Sequence, residues 1–67
     1  MFIRINESRI KASSIGEFEN QGKSVHTEKW YLNIKISGKW KSFTFNEEKR
    51  LNDVVSYLDK VLKVEVV

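Results

Sequence analysis

The stretch of sequence that decides the fold runs from Lys29 to Phe45 and reads KWYLNIKISGKWKSFTF. Two runs rich in aromatic and β-branched residues flank Ser37-Gly38, and this arrangement indicates a β-hairpin with a two-residue turn. A turn of that length fixes the pairing, so that Lys35 faces Trp40 directly across the hairpin. The stretch therefore predicts two antiparallel strands in a defined register.

The predicted register gives the hairpin two chemically different faces, because successive side chains of a strand point to opposite sides of the sheet. One face carries Trp30, Leu32, Ile34, Ile36, Phe43 and Phe45. The other face carries Tyr31, Asn33, Lys35, Trp40, Ser42 and Thr44. We expect the apolar face to be covered by another element and the polar face to stand in solvent.

An amphipathic helix is predicted directly after the hairpin. Its apolar residues recur three and four positions apart, a spacing that places them on one helical face. They are Leu51, Val54, Val55, Leu58, Val61 and Leu62. Asn46 or Thr44 is the expected N-cap, and Glu47 and Glu48 lie in the first turn, where negative charge stabilises a helix. The predicted helix spans about 47–63.

The first half of the chain gives weaker strand signals. The four predicted strands span about 2–5, 9–19, 25–36 and 39–45, with a bulge or bend at Gly16 and a loop around residues 20–23. Residues 64–67 predict an optional fifth strand. The expected fold is a single small α+β domain over 1–67, with an antiparallel sheet of four or five strands in the order β-β-β-β-α packed on one C-terminal helix.

Length and composition limit the classes of protein that the chain can represent. Its 67 residues contain no cysteine, which excludes disulfides, thiol catalysis and cysteine-ligated zinc. No apolar stretch approaches the roughly 18 residues that a membrane span needs, and the first residues lack the features of a signal peptide. A cytoplasmic protein without a membrane segment is expected.

No combination of residues predicts catalysis. His26 is the only histidine, and a lone histidine is more often a turn or surface residue than a catalyst. Glu47 and Glu48 are explained by the helix dipole, and Glu17 and Glu19 by a solvated strand end. The three glycines are isolated, so they form no phosphate-binding loop. We therefore expect a non-enzymatic protein with no catalytic residues, cofactor or metal.

The positive charge is concentrated in the hairpin. The chain has a formal net charge of +3. Residues 29–41 contain four lysines and no acidic residue, whereas the segments before and after them are nearly neutral. The excess of positive charge is therefore local in the sequence.

This basic hairpin also carries exposed aromatic residues, and the combination predicts nucleic-acid binding. Lysines neutralise phosphates and aromatic rings stack on bases in proteins that bind single strands or RNA through a sheet. A hairpin can alternatively enter a DNA major groove. The candidate residues are Lys29, Tyr31, Asn33, Lys35, Lys39, Trp40, Lys41 and Ser42. Lysines on a hairpin can also serve only solubility and protection of sheet edges.

The alternative prediction is a protein-binding module, such as a small phage or mobile-element regulator or inhibitor that docks on a host protein. An exposed pair of Tyr31 and Trp40 would suit the centre of an interface, where aromatic residues are enriched. The predicted strand at 64–67 could add to the sheet of a partner or of a second copy in a homodimer.

The segment KWYLNIKISGKWKSFTF, residues 29–45, followed by a helix, resembles the arm-binding domains of phage integrases. Those domains consist of a three-stranded sheet and a helix and bind DNA through the sheet. The resemblance covers only the second half of the chain and transfers no individual residue. What it implies is a DNA-binding sheet surface.

Overall fold

Five strands, a short 3₁₀ turn and one helix are formed by residues 1–65, the part of the chain that the computed structural model describes. They are β1 (Phe2–Ile5), β2 (Ser8–Lys11), the 3₁₀ turn (Ala12–Ser14), β3 (Ile15–Lys23), β4 (Trp30–Ile36), β5 (Lys39–Phe45) and α1 (Glu48–Val61). The predicted α+β class is confirmed.

The strands form two antiparallel sheets, so the prediction of one four-stranded sheet is wrong. β1 pairs with β2, and β3, β4 and β5 form a separate sheet in that order. The cause lies at residues 12–14, where a 3₁₀ turn interrupts the strand predicted over 9–19. The residues before the turn pair with β1 and those after it pair with β4, so one predicted strand contributes to two sheets.

β3 extends further than predicted and is irregular at its two glycines. The predicted loop at residues 20–23 belongs to β3, where Gly22 has a φ of 72° and its N–H donates to Asn20 Oδ1 at 2.9 Å. The pairing with β4 shifts there and again between Ile15 and Glu17. The second shift confirms the bulge predicted at Gly16.

β4 begins at Trp30, five residues later than predicted. The residues before it form a turn at Val25–Thr27, which the N–H of Ser24 closes by donating to the Lys29 carbonyl at 2.9 Å. Glu28 adopts a φ of 58°, which is incompatible with an extended strand. The prediction of a continuous strand over 25–36 is therefore wrong in its first part.

The β4–β5 hairpin has the predicted register throughout. Trp30 pairs with Phe45 and Lys35 pairs with Trp40. Ser37 and Gly38 have φ angles of 51° and 84°, and two positive φ angles define the type I′ turn that matches the twist of a hairpin. The turn and the apolar alternation act together to fix the pairing.

α1 presents the predicted apolar face but begins without the predicted cap. Leu51, Val54 and Leu58 are buried. The N-cap position is occupied by Glu47, whose side chain makes no capping hydrogen bond. Thr44 cannot cap the helix because it lies within β5.

The C-terminal strand prediction receives no support from the described residues. α1 ends at Val61, and Lys63 follows with a φ of 55°. Val64 and Glu65 are not in a strand. The remaining part of the predicted strand, 66–67, lies outside the described residues.

One core lies between the two sheets and the helix. Its buried members are Ile3, Ile5, Ile10, Leu32, Ile34, Phe43, Phe45, Leu51, Val54 and Leu58. Two polar contacts join the β1–β2 hairpin to β5: Asn6 Nδ2 donates to the Thr44 carbonyl at 3.0 Å, and Lys41 Nζ donates to Ser8 Oγ at 3.0 Å. Within residues 1–65, no helix has the length and apolar character needed to cross a bilayer.

Candidate nucleic-acid interface

Trp40 is the exposed aromatic residue of the hairpin. It lies on the sheet face away from α1, and 47% of its surface is accessible to solvent. Lys35 stands directly opposite on β4 and holds its Nζ atom 5.9 Å from the centroid of the Trp40 ring. Trp30 instead packs against the core. One tryptophan is thus structural and the other is available to a ligand.

Tyr31 occupies the same face but does not form a continuous platform with Trp40. Tyr31 pairs with Thr44, four residues along β4 from Lys35, and a strand rises about 3.3 Å per residue, which separates the two aromatic positions by about 13 Å. The ring is half-buried, and its hydroxyl lies 3.0 Å from Thr27 Oγ1. Tyr31 is therefore a secondary contact at the far end of the sheet.

Asn33 and Ser42 form a polar pair between those two aromatic positions. They face each other across the ladder, and Ser42 Oγ donates to Asn33 Oδ1 at 2.7 Å. This bond leaves the Asn33 amide N–H groups free to donate outward. The pair can therefore offer hydrogen-bond donors to a base or a sugar.

Two carboxylates share this face, which the hairpin alone did not predict. Glu17 pairs with Lys35, and Glu19 pairs with Asn33 across the β3–β4 ladder. Glu19 Oε2 also accepts a hydrogen bond from Gln21 Nε2 at 3.0 Å. The outward face of the three-stranded sheet is therefore of mixed charge.

The remaining three lysines of the candidate set lie elsewhere on the hairpin. Lys29 is exposed just before β4 begins, at the end of the sheet near Tyr31. Lys39 and Lys41 belong to the face that carries Ile36 and Ile34. Lys41 Nζ also lies 5.3 Å from the Phe43 ring centroid. The structure thus divides the eight candidate residues between two faces.

Lys39 and Lys41 form part of a cleft between β2 and β5, which we call the basic cleft. Its lining residues are Ser8, Arg9, Ile10, Lys11, Ile36, Lys39, Trp40 and Lys41. The cleft has a volume of about 460 Å³. Four of the residues that line it are cationic and none is acidic, so the cleft is a positively charged concave surface that includes Trp40.

Arg9 and Lys11 are functional candidates that the sequence analysis missed. Their segment, residues 1–28, is neutral in the sequence because its four acidic residues balance its four basic residues. The alternation of Arg9 and Lys11 around the buried Ile10 is the available signal. It shows that both basic residues share one side of β2, but not that β2 lies beside β5.

The walls of the basic cleft are the outer edges of two different sheets. In a two-residue hairpin the closing pair is hydrogen-bonded, and opposed residues then alternate between bonded and non-bonded pairs. Trp40 and Ser42 therefore direct backbone N–H and C=O groups away from β4, and Arg9 and Lys11 direct theirs away from β1. In residues 1–65 no backbone hydrogen bond joins β2 to β5.

The described residues bring together no other chemical centre. His26 lies exposed in the turn before β4, and its backbone N–H donates to Ser24 Oγ at 3.3 Å. Within the described part of the chain, no cluster of three histidine, cysteine or acidic residues is placed to hold a metal ion. The surface around Trp40 is therefore the strongest candidate site.

Comparisons of the chain with protein-family models, with curated proteins and with solved structures give no significant match. The geometry and charge of this chain's own residues are therefore the basis on which a function can be proposed.

Proposed function

We propose that this protein is a non-enzymatic nucleic-acid-binding protein that uses the basic and aromatic surface of the β4–β5 hairpin. The observation that carries the proposal is the position of Trp40. Its exposed ring lies beside the Lys35 ammonium, and Trp40 is also one of the residues that line the basic cleft, which contains no carboxylate. An exposed ring next to several cations combines base stacking with phosphate neutralisation.

The two contributions have different energetic roles. Stacking of a base on an aromatic side chain contributes about 1–3 kcal/mol, irrespective of which base is bound. Phosphate contacts made by lysine and arginine release counterions, and they make the affinity fall as salt rises. The arrangement thus supports binding with little sequence preference and a strong dependence on salt.

The candidate residues contribute different interactions according to their positions. Trp40 provides the stacking surface, and Lys35, Lys39 and Lys41 provide the nearest positive charge. The amide of Asn33 and the hydroxyl of Ser42 offer hydrogen bonds next to the ring. Lys29 and Tyr31 extend the surface to the other end of the sheet.

A direct test compares two aromatic substitutions by anisotropy of labelled oligonucleotides. Trp40→Ala should weaken binding by about 1–3 kcal/mol. Tyr57→Ala is the matched control, since Tyr57 is also 47% exposed but lies on α1. Single-stranded DNA, duplex DNA and RNA are titrated at low and moderate salt. Absence of salt-sensitive binding to all three would refute the proposal.

A second candidate function, docking on a protein such as a second copy of this chain, is favoured by a groove between β1 and α1. Phe2 and Tyr57 line it with exposed fractions of 68% and 47%, and Arg4 and Arg50 line it as well. Tyrosine and arginine are enriched among the residues that dominate interface energies. The combined Phe2→Ser/Tyr57→Ser variant, compared with wild type by sedimentation equilibrium, tests whether this groove joins two copies of the chain.

A further inference from the structure

We infer that the ligand is single-stranded nucleic acid whose phosphates lie in the basic cleft, with Arg9 and Lys11 as phosphate-binding residues. This inference rests on the proposed function and specifies the path of the bound strand. The main electrostatic contact then lies in the space between β2 and β5. It does not lie on the outward face of the three-stranded sheet, which we call the open face.

The distribution of charge favours the cleft over the open face. The cleft combines Arg9 and Lys11 from one sheet with Lys39 and Lys41 from the other. On the open face, by contrast, Lys35 lies between Trp40 and the carboxylate of Glu17. A phosphate is therefore attracted more strongly to the cleft than to the centre of the sheet.

The backbone of the cleft walls also provides hydrogen-bond donors for an anion. Trp40 on β5, and Arg9 and Lys11 on β2, each direct an N–H group, together with a C=O group, toward the outer edge of their sheet. Protein backbone N–H groups are common donors to phosphate oxygens, and such contacts fix the position of a nucleic acid without reading its sequence. Cationic side chains and edge N–H groups thus converge on the same path.

The position of Trp40 favours a single strand over a duplex. Trp40 is one of the residues that line the cleft, and its ring stands on the exposed face beside Lys35. Stacking on it requires a base whose face is open, which an unpaired strand provides and a duplex does not. A second strand crossing the sheet would also bring its phosphates toward Glu17 and Glu19.

An acidic extended peptide is the competing occupant, since it could pair with the same strand edges and the same cations. The exposed indole of Trp40, a residue that lines the cleft, favours the nucleic acid, because a base can stack on the ring while its phosphates contact the cations. The experiment therefore includes a peptide polyanion as a competitor.

The test measures binding of fluorescein-labelled oligothymidylate to the Arg9→Gln/Lys11→Gln double variant. The control is Lys60→Gln/Lys63→Gln, which also removes two positive charges, but from exposed positions at the C-terminal end of α1 and just beyond it. We expect the cleft variant to lose on the order of tenfold in affinity at low salt, and its log–log salt slope to become shallower by about 1.4, two phosphates at about 0.7 each. The control should change both quantities much less.

Each other outcome has a defined meaning. If the cleft variant and the control bind alike while Trp40→Ala binds weakly, the cleft path is refuted and the proposed function stands. If a duplex binds as tightly as the single strand and loses as much in the cleft variant, the assignment of a single strand is refuted. If polyglutamate binds more tightly than the oligonucleotide at equal charge concentration, the cleft is an acidic-peptide site and the inference is refuted. Thermal unfolding followed by circular dichroism verifies that both double variants are folded.

Discussion

The ammonium of Lys35 lies 5.9 Å from the centroid of the Trp40 ring, directly across the β4–β5 ladder. At this distance the cation is attracted to the ring, and at an exposed site the attraction is worth about 0.5–1 kcal/mol. The pair is therefore held together weakly enough for a ligand to rearrange it. A base that stacks on Trp40 meets a positive charge already in place.

Lys35→Gln should accordingly affect binding more than folding. We expect a loss of stability no larger than about 1 kcal/mol, because only the cation–π contact disappears. The salt slope for a single strand should become shallower by about 0.7, the value for one phosphate contact. Lys23→Gln, at the far end of β3, is the control and should leave the slope unchanged. Equal slopes in the two variants would remove Lys35 from the interface.

Leu58→Ala should strongly destabilise the fold. Leu58 is 0% exposed within the core, and truncation of a buried leucine costs about 2–5 kcal/mol through lost burial and the resulting cavity. A domain of this size has a total stability of about 3–10 kcal/mol. The variant should be near its unfolding threshold in urea, whereas the neighbouring Tyr57→Ala should be close to wild type. A small effect of Leu58→Ala would contradict the packing of α1 on the sheets.

Gly38→Ala should destabilise the hairpin, because alanine is strained at the Gly38 φ of 84°. The cost is about 1 kcal/mol, since the left-handed conformation disfavours a Cβ and the smaller entropy of the unfolded chain offsets only part of that. An added Cβ meets no atom within 4 Å at Gly38 or at Gly16, and Gly16 has no positive φ. Gly16→Ala is therefore the control for backbone conformation without a steric clash. If both substitutions give the same urea midpoint, the type I′ turn is not the determinant of the hairpin.

Glu47→Asp should stabilise the protein, because the N-cap of α1 lacks a side-chain hydrogen bond. The shorter aspartate side chain can accept from the N–H groups of the first turn, a gain typically of about 1 kcal/mol. The charge is unchanged, so a higher urea midpoint reports the cap itself. Glu65→Asp makes the same chemical change outside any helix or strand and should leave the midpoint unaltered. A lower or equal midpoint for Glu47→Asp would show that the cap geometry is unsuitable.

The sequence predicted the second half of the fold well because two local signals agreed there. The alternation of apolar and polar residues in 29–45 and the Ser37-Gly38 turn predict the same register. The spacing of apolar residues in α1 predicts that the helix buries the face that contains Leu58. The first half had no comparable agreement. The 3₁₀ turn at residues 12–14 and the positive φ of Glu28 follow no strong sequence signal, so one predicted strand was divided and another was shortened.

The candidate site was only partly predictable, since charged residues that are distant in the sequence can be neighbours in the fold. The hairpin pattern correctly placed Lys35 opposite Trp40. It gave no information about the neighbours of the hairpin, which depend on how the two sheets are arranged. Arg9 from β2 therefore joined the cleft unpredicted, and Glu17 from β3 joined the open face unpredicted.

Glu17→Gln/Glu19→Gln should strengthen nucleic-acid binding, because both carboxylates share the open face with Lys35 and Asn33. Removing two negative charges near the bound strand reduces repulsion of its phosphates, and the effect should be larger at low salt, where screening is weak. Glu47→Gln/Glu65→Gln removes the same amount of charge outside that face and controls for net charge.

The Glu17→Gln/Glu19→Gln variant also distinguishes a strand bound in the basic cleft from a duplex bound across the sheet. If its phosphates lie in the basic cleft, a single strand should gain only modestly from the Glu17/Glu19 change. A duplex laid across the sheet should gain much more, because its phosphates pass directly over both carboxylates. Anisotropy titrations of both ligands with both double variants measure this difference, and a larger gain for the single strand would contradict the cleft.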